Sequence, residues 1–375
     1  MEQLSLLSPI IFWVLGFLFF WRIPTLRKSE GGAGDPPSVS IIVPARNEAG
    51  NIGRVLGSLR EQTRQPREVI VVDDQSEDAT PLIAEKEGAS VLSLTELPEG
   101  WRGKNWACWQ GAGRAQGEIL LFLDADTWLE KDGLEKISAT FLRTGGLLSV
   151  QPHHRVERLY EQLSAFFSII TMAGTQAFTV LGNRIKPVGA FGPCLVCRRE
   201  DYFAVGGHAK VRSEILESLA LGQAFLSGGL GLHCYGGRGA ISFRMYTGGL
   251  RSMIEGFGKG FAIGANRTHW LCLLLIIGWV SGAMGLTRQL VQALLGFGGM
   301  DWFPGLSLYF LYVVQIGRML ARTGTYRWST AFLFPIPLLF FVAVFFWSIF
   351  NTFVFKKVRW KGRQIDTGTA GKKDP

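Results

Sequence analysis

An α/β fold is predicted, with a mostly parallel sheet covered by helices and membrane segments on either side. Three observations predict it. Short β-branched runs alternate with runs of helical period between residues 36 and 265. The runs that read as strands stop in clusters of acids. Long apolar stretches bracket this region at both ends of the 375 residues, which include 27 Phe and 12 Trp. The mean hydropathy of +0.20 also leans toward a membrane.

Residues 1–22 contain LLSPIIFWVLGFLFFW, long enough for an N-terminal transmembrane anchor. No charged segment precedes this run and no A-x-A site follows it, which argues against a cleavable signal peptide. Arg22, Arg27 and Lys28 behind it place the 36–265 domain in the cytoplasm by the positive-inside rule. In that domain VSIIVPARNE reads as a buried strand stopped by Pro44 and followed by a loop. NIGRVLGSLREQ sets Ile52, Val55, Leu56 and Leu59 at helical spacing, with Asn51 as the expected cap. REVIVVDDQSEDAT supplies a strand over Val69–Val72, TPLIAEKEGA a helix and SVLSL a third strand. NWACWQGAGRAQG is a further helix, closed by Gly117 ahead of the strand EILLFLDAD. Parallel strands need crossover connections, so this alternation implies a parallel sheet. Ligands of such open sheets bind at the carboxyl ends of the strands.

From Trp270 the chain turns apolar again, and 268–356 reads as C-terminal membrane segments followed by a basic cytoplasmic tail, 357–375. If both basic flanks are cytoplasmic, an even number of crossings separates them. The short run 303–317 is the one expected not to cross. The net charge of +9 fits Lys and Arg beside anionic lipid. These residues are dispersed and carry no nucleic-acid motif, so nucleic acid is not an expected partner. Among the five cysteines, Cys194 and Cys197 form a C-x-x-C without a second pair at zinc spacing; all five are expected as reduced thiols.

The chemistry concentrates at strand ends. Asp124 and Asp126 close LLFLDAD one position apart; on a strand they would share a face, and their repulsion calls for a cation. Hard carboxylate oxygens suit Mg²⁺ or Mn²⁺, which would neutralise a diphosphate leaving group. Asp73 and Asp74 close a second strand, where a carboxylate can accept hydrogen bonds from a nucleobase or ribose. Neither a P-loop nor a G-x-G-x-x-G turn is present. The diphosphate therefore falls to the metal and to scattered basic residues. Lys104, in PEGWRGKNWA, stands at a helix start, where its ammonium and the helix N-terminus both favour an anion. His153 and His154 read as loop residues, and His208 as a residue approaching the pocket.

In this order and spacing, SIIVPARNE, VIVVDDQSEDAT and LLFLDAD resemble the family 2 glycosyltransferases of GT-A fold. GWRGKNWACWQGA, GAFGPCLVCRREDYFAVGGH, SEILESLALG and FRMYTGG are similar to the membrane-anchored branch with the diaponeurosporenoate and hopene-associated transferases. The resemblance covers residues 36–265. It implies an inverting, metal-dependent hexosyl transfer from a nucleotide sugar such as UDP-glucose to a lipid acceptor in the membrane, a carotenoid acid being one. The Pro44–Glu48 loop would border the nucleotide, Glu48 near base or ribose, with Asp73 and Asp74 on the uracil or ribose. Asp124 and Asp126 would be the metal-binding D-x-D, Asp126 the more direct ligand. Lys104 would lie near the diphosphate or ribose, and residues 192–199 would line part of the sugar and acceptor pocket. The family's usual Glu-Asp pair, whose Asp is the general base, reads Glu217-Ser218 here. Glu217 becomes the candidate base and Glu214 the second, unless an ionised carboxylate acceptor needs none. The Q-x-x-R-W motif of processive members is absent, and Arg244 or Arg251 in its place could bind an anion or sit at the interface. Transfer to a polyprenyl phosphate or hopanoid, membrane nucleotidyl transfer, and a silent scaffold are the alternatives.

Overall fold

The computed structural model describes residues 2–28, 37–258, 264–265, 267–297, 302–350, 357–360 and 363–366. Most of the Gly-rich linker and the tail beyond Asp366 lie outside them. Two compact units emerge. One comprises Pro24–His153 and Pro187–Met245, the other Met1–Ile23, His154–Lys186 and Tyr246–Thr367.

The first unit is built on a seven-stranded sheet. Its strands are β1 (Val39–Ala45), β2 (Glu68–Asp73), β3 (Ser90–Ser93), β4 (Ile119–Leu123), β5 (Leu147–Gln151), β6 (Cys194–Arg198) and β7 (Leu232–Gly236). They lie in the order β3-β2-β1-β4-β6-β5-β7. The pairs β1–β2, β1–β4, β2–β3 and β5–β7 are parallel, whereas β6 runs antiparallel to both neighbours. The helices between them are α1 (Ile52–Arg60), α2 (Thr80–Lys86), α3 (Gly103–Arg114), α4 (Gly133–Thr144) and α5 (Glu217–Ser227). This is the α/β architecture that the alternation implied.

One face of the sheet buries Ile41, Val43, Val71 and Leu121 against α1 and α4 through Val55, Leu59, Ile137 and Phe141. On the other face α3 lies close to the strands because Gly111 has no side chain. A Cβ there would come 2.9 Å from Val72 Cγ2. That approach carries the first turn of α3, and with it Lys104, to the carboxyl edge of the sheet.

Two local expectations change. The strand does not stop at Pro44, which pairs with Val72 while Ala45 pairs with Asp73. The register between β1 and β4 ends at Ile42 and Phe122. Pro44 thus sits past the last ladder partner on that side, where proline's missing N–H costs little. The acidic pair also lies beyond the strand, which ends at Leu123. Asp124–Thr127 is a turn, with the Thr127 N–H and Oγ1 both donating to the Asp124 carbonyl at 3.1 and 2.7 Å. The chain must turn because Thr127–Leu129 starts a new antiparallel pairing with Ile241–Phe243.

The second unit is helical, and two of its helices, Trp270–Leu294 and Phe303–Thr323, are long and apolar enough to cross a membrane. The run 303–317 lies within the second of these. A continuous helix spans Trp302–Thr323, with Pro304 in its first turn, where a missing N–H interrupts nothing. The final apolar run breaks instead into Trp328–Phe332 and Pro335–Phe350, as the prolines of LFPIP dictate. The basic stretch after it contributes an antiparallel pair, Lys357–Trp360 with Arg363–Asp366. The N-terminal helix Glu2–Phe19 packs closely on Trp270–Leu294 at small residues. A Cβ on Gly278 would meet Leu15 Cδ1 at 2.7 Å, and one on Gly16 would meet Gln315 Nε2 at 2.7 Å and Trp279 Nε1 at 2.8 Å. Gly278 and Gly282 form a G-x-x-x-G, a spacing that permits close helix contact in lipid. Gln315 is satisfied within the unit: Trp279 Nε1 donates to its Oε1 at 2.8 Å and its Nε2 donates to the Trp13 carbonyl at 2.9 Å. His154, expected in a loop, is buried, with Nδ1 3.0 Å from the Tyr326 hydroxyl, which also bonds Ser164 and Ser168.

Gly16→Leu is expected to destabilise the helical unit by about 1–3 kcal/mol through overpacking. Thermal unfolding of the detergent-solubilised protein checks this, and an unchanged midpoint contradicts the packing described.

Candidate active site

The carboxyl ends of β1, β2 and β4 carry the predicted acids. The loop after β1 and the loop after β2 are tied to each other. Asn47 N–H donates to Ser76 Oγ at 2.9 Å, Glu77 N–H to Asn47 Oδ1 at 2.8 Å, and Glu48 N–H to Thr80 Oγ1 at 2.8 Å. Asn47 and Gln75 adopt left-handed φ of 52° and 57°, a conformation that non-glycine residues keep only where the surroundings over-determine it. Asn51 does not cap α1 with its side chain; its Nδ2 instead donates to Glu48 Oε2 at 2.7 Å and fixes that carboxylate.

Asp73 and Asp74 are both buried. Asp73 Oδ2 accepts from the Ser76 N–H at 3.3 Å, while its Oδ1 is buried without a hydrogen-bond partner among the described residues. Arg46 Nη1 donates to the Asp74 carbonyl at 2.8 Å and lies 3.9 Å from Asp74 Oδ2.

The centre of the site is a three-charge cluster. Lys104 Nζ stands 2.7 Å from Asp124 Oδ1 and 3.1 Å from Glu217 Oε1, the side chains of the two acids being 27% and 14% exposed. Burial works against the Lys104 charge, but Asp124 and Glu217 outweigh it and hold the ammonium well above its ordinary range. Burial also lifts Asp124 above the usual carboxylate range, against the pull of Lys104, and the nearby charges of Glu217 and Glu48 add to the lift. Gly192 borders the cluster: a Cβ there would lie 3.3 Å from Ser218 Oγ and 3.6 Å from Lys104 Nζ. The structure therefore brings Lys104, Asp124, Glu217, Ser218 and Gly192 together, with Glu48 in electrostatic reach. Asp126 sits two residues on in the turn, its carbonyl accepting from the Arg244 N–H at 3.2 Å.

Two supporting groups gave no sequence signal of a role. Asn105, 1% exposed, directs Nδ2 at the carbonyls of Val211, Arg212 and Glu214 at 2.9, 3.1 and 3.3 Å. It clamps the segment that leads into Glu217 onto the helix that carries Lys104. Tyr202 supports His208: the His208 backbone N–H donates to the Tyr202 hydroxyl at 3.1 Å, and that hydroxyl lies 2.9 Å from His208 Nδ1. Burial pushes His208 down to about 4, so it is neutral near pH 7. The five cysteines are buried free thiols, with Cys194 and Cys197 on β6, and burial raises both.

For a divalent ion the donors are hard carboxylates, Asp124 at the cluster and Asp126 in the same turn. No three His, Cys, Asp or Glu side chains form a cage among the described residues. That donor set fits Mg²⁺ or Mn²⁺, which keep few protein ligands and take the rest from phosphate and water.

The family model for glycosyl transferase family 2 matches residues 40–202. The 4,4'-diaponeurosporenoate glycosyltransferase of Staphylococcus aureus strain MRSA252 is 36% identical over 335 residues, covering 87% of this chain and 88% of that protein. The chain belongs to glycosyl transferase family 2. Within this family it stands in the branch of the staphylococcal enzyme. Among solved structures, the mannosyltransferase PcManGT from Pyrobaculum calidifontis, in complex with GDP-Man and Mn²⁺, superposes with a TM-score of 0.54 at 18% identity. That match covers 94% of this chain and 96% of PcManGT, so the family 2 transferase shares its fold across both units.

Asn105→Ala is expected to lower kcat on the order of 10²-fold by releasing the segment before Glu217, with donor affinity unchanged. Steady-state kinetics beside donor calorimetry separate the two effects, and an unaltered kcat refutes the clamp. His208 gives a pH dependence. Between its ordinary 6.5 and about 4 the unfolded chain binds a proton that the folded chain refuses. The stability it contributes is thus present above pH 6.5 and lost as pH falls toward 4. His208→Gln should flatten that part of the slope in denaturant midpoints measured across this range, and an identical slope refutes it.

Proposed function

We propose that this chain moves a hexose from a nucleotide sugar, UDP-glucose, to a carotenoid acid held in the membrane, with inversion at the anomeric carbon. The observation that carries this reading is the Lys104–Asp124–Glu217 cluster at the carboxyl edge of the sheet. The name of the staphylococcal relative supports the acceptor class. Asp73, with its buried acceptor oxygen, suits a nucleobase N–H or ribose hydroxyl, and the fixed Glu48 carboxylate and Pro44 border the same edge. Asp74, pinned beside Arg46, shapes that wall.

In the reaction an acceptor oxygen attacks C1 of the sugar, the bond from C1 to the diphosphate breaks, and the nucleoside diphosphate departs with the electron pair. Asp124 and Asp126 would hold Mg²⁺ or Mn²⁺, which when bound offsets charge developing on the diphosphate. Lys104 faces the same negative charge from the start of α3. A hydroxyl acceptor would surrender its proton to Glu217, since Ser218 has no basic group to offer. A carboxylate acceptor arrives ionised and needs no base, which explains how Ser218 is tolerated. We place the 36–265 domain in the cytoplasm, next to Arg22, Arg27 and Lys28. The helices Trp270–Leu294 and Phe303–Thr323 then serve as spans of a multi-pass membrane protein, with 1–22 as anchor.

The test supplies UDP-glucose and Mn²⁺ to the membrane-embedded enzyme with a polyene carboxylic acid or the matching polyene alcohol. An alkali-labile glucosyl ester is the expected main product; an alkali-stable glycoside formed in preference to it, or no transfer to either acceptor, overturns the reading. Glu217→Gln should cost an alcohol acceptor on the order of 10²–10⁴ in rate and the carboxylate far less. Loss of turnover with the carboxylate while UDP-glucose still binds would show that Glu217 does more than take a proton.

A further inference from the structure

Resting on the reading of this edge as a metal and nucleotide-sugar site, we infer that Lys104 is an internal counter-ion that the metal must displace. In this inference the ammonium holds Asp124 and Glu217 until a diphosphate draws it away, so metal and donor bind cooperatively. The geometry is direct. One ammonium contacts both carboxylates, at 2.7 and 3.1 Å, and Asp124 is the first acid of the D-x-D. A divalent ion on the same Asp124 oxygen would face Nζ at close range, and two cations so placed repel. Metal alone therefore binds only at the cost of breaking the Lys104–Asp124 pair.

A diphosphate changes that balance. Lys104 is the second residue of α3, follows Gly103, and faces Gly192, which presents no side chain to it. Four methylenes let Nζ leave the carboxylates for phosphate oxygens without moving the helix. The freed Asp124 then accepts the metal, and Glu217 loses the partner that masked it. Lys104 does not replace the metal, because one positive charge cannot balance Asp124, Glu217 and an arriving diphosphate together. The same movement ties the exposure of Glu217 to the presence of donor, so that the site is assembled only when there is sugar to transfer.

The experiment measures Mn²⁺ binding to the full chain by the loss of the free-ion paramagnetic resonance signal, with no nucleotide, with UDP and, in parallel, with GDP. The wild-type chain should bind Mn²⁺ weakly alone and on the order of 10-fold or more tightly with the diphosphate its base pocket accepts. Lys104→Met, with Lys104→Gln as a second variant, should bind Mn²⁺ alone on the order of 10-fold tighter than wild type, and the nucleotide enhancement should shrink toward unity. Lys104→Arg keeps the charge and should keep the enhancement. A wild-type chain whose Mn²⁺ affinity ignores nucleotide, or variants that bind Mn²⁺ alone no better, overturns the displacement while leaving glycosyl transfer intact. If neither nucleotide brings Mn²⁺ to the wild-type chain, the metal site itself falls, and the displacement with it.

Discussion

Three carboxylates gathered around Asp124, two of them held by the one ammonium of Lys104, set the terms for everything else at this site. Asp124, Glu217 and Glu48 come from three distant parts of the chain, and left to themselves they would push apart. Lys104 makes their meeting affordable, and the fold goes to some length to deliver it. Gly111 lets α3 lie flat on the strands, Asn105 ties the approach to Glu217 onto that helix, and Gly192 leaves space for the side chain. Each of these is a structural device with no chemistry of its own. Together they hold a repulsive set of acids around one positive charge.

The edge formed by the loops after β1 and β2 is organised by a different principle. There the loops after β1 and β2 lock each other through Asn47, Ser76, Glu48 and Thr80, and two residues hold left-handed backbone conformations as part of that lock. Backbone strain of this kind costs on the order of 1–3 kcal/mol per residue and is kept where a loop must be set in advance.

Much of the fold was legible because it rests on period. The β-branched runs and the spacing of Ile52, Val55, Leu56 and Leu59 each mark an element whose side chains share one fate, burial. The acids were legible because a run of apolar residues ending in Asp has few structural explanations. What the sequence concealed depends on contacts between distant residues. Asn105 looks like any helix asparagine until its amide meets carbonyls more than a hundred positions away. The Asp124–Asp126 spacing suggested a shared strand face, yet the chain turns there because of a pairing with Ile241–Phe243 that no local pattern announces. Pro44 looked like a stop because the width of the ladder at that point is set by β4. The run at 303–317 looked short because Gln315, Gly317 and Arg318 interrupt its apolar end, and only the partners of Gln315 show that it belongs inside the helical unit.

Those partners bear on the order in which the molecule is made. Gln315 donates to the carbonyl of Trp13, 302 positions earlier in the chain, and Trp279 completes the contact. At ribosomal speeds of about 5–20 residues per second, the first helix waits roughly 15–60 s between its own synthesis and the arrival of the residue that fixes its rotation. During that interval Gly16 lacks its Gln315 neighbour. The helical unit therefore completes this contact only after Gln315 has been made.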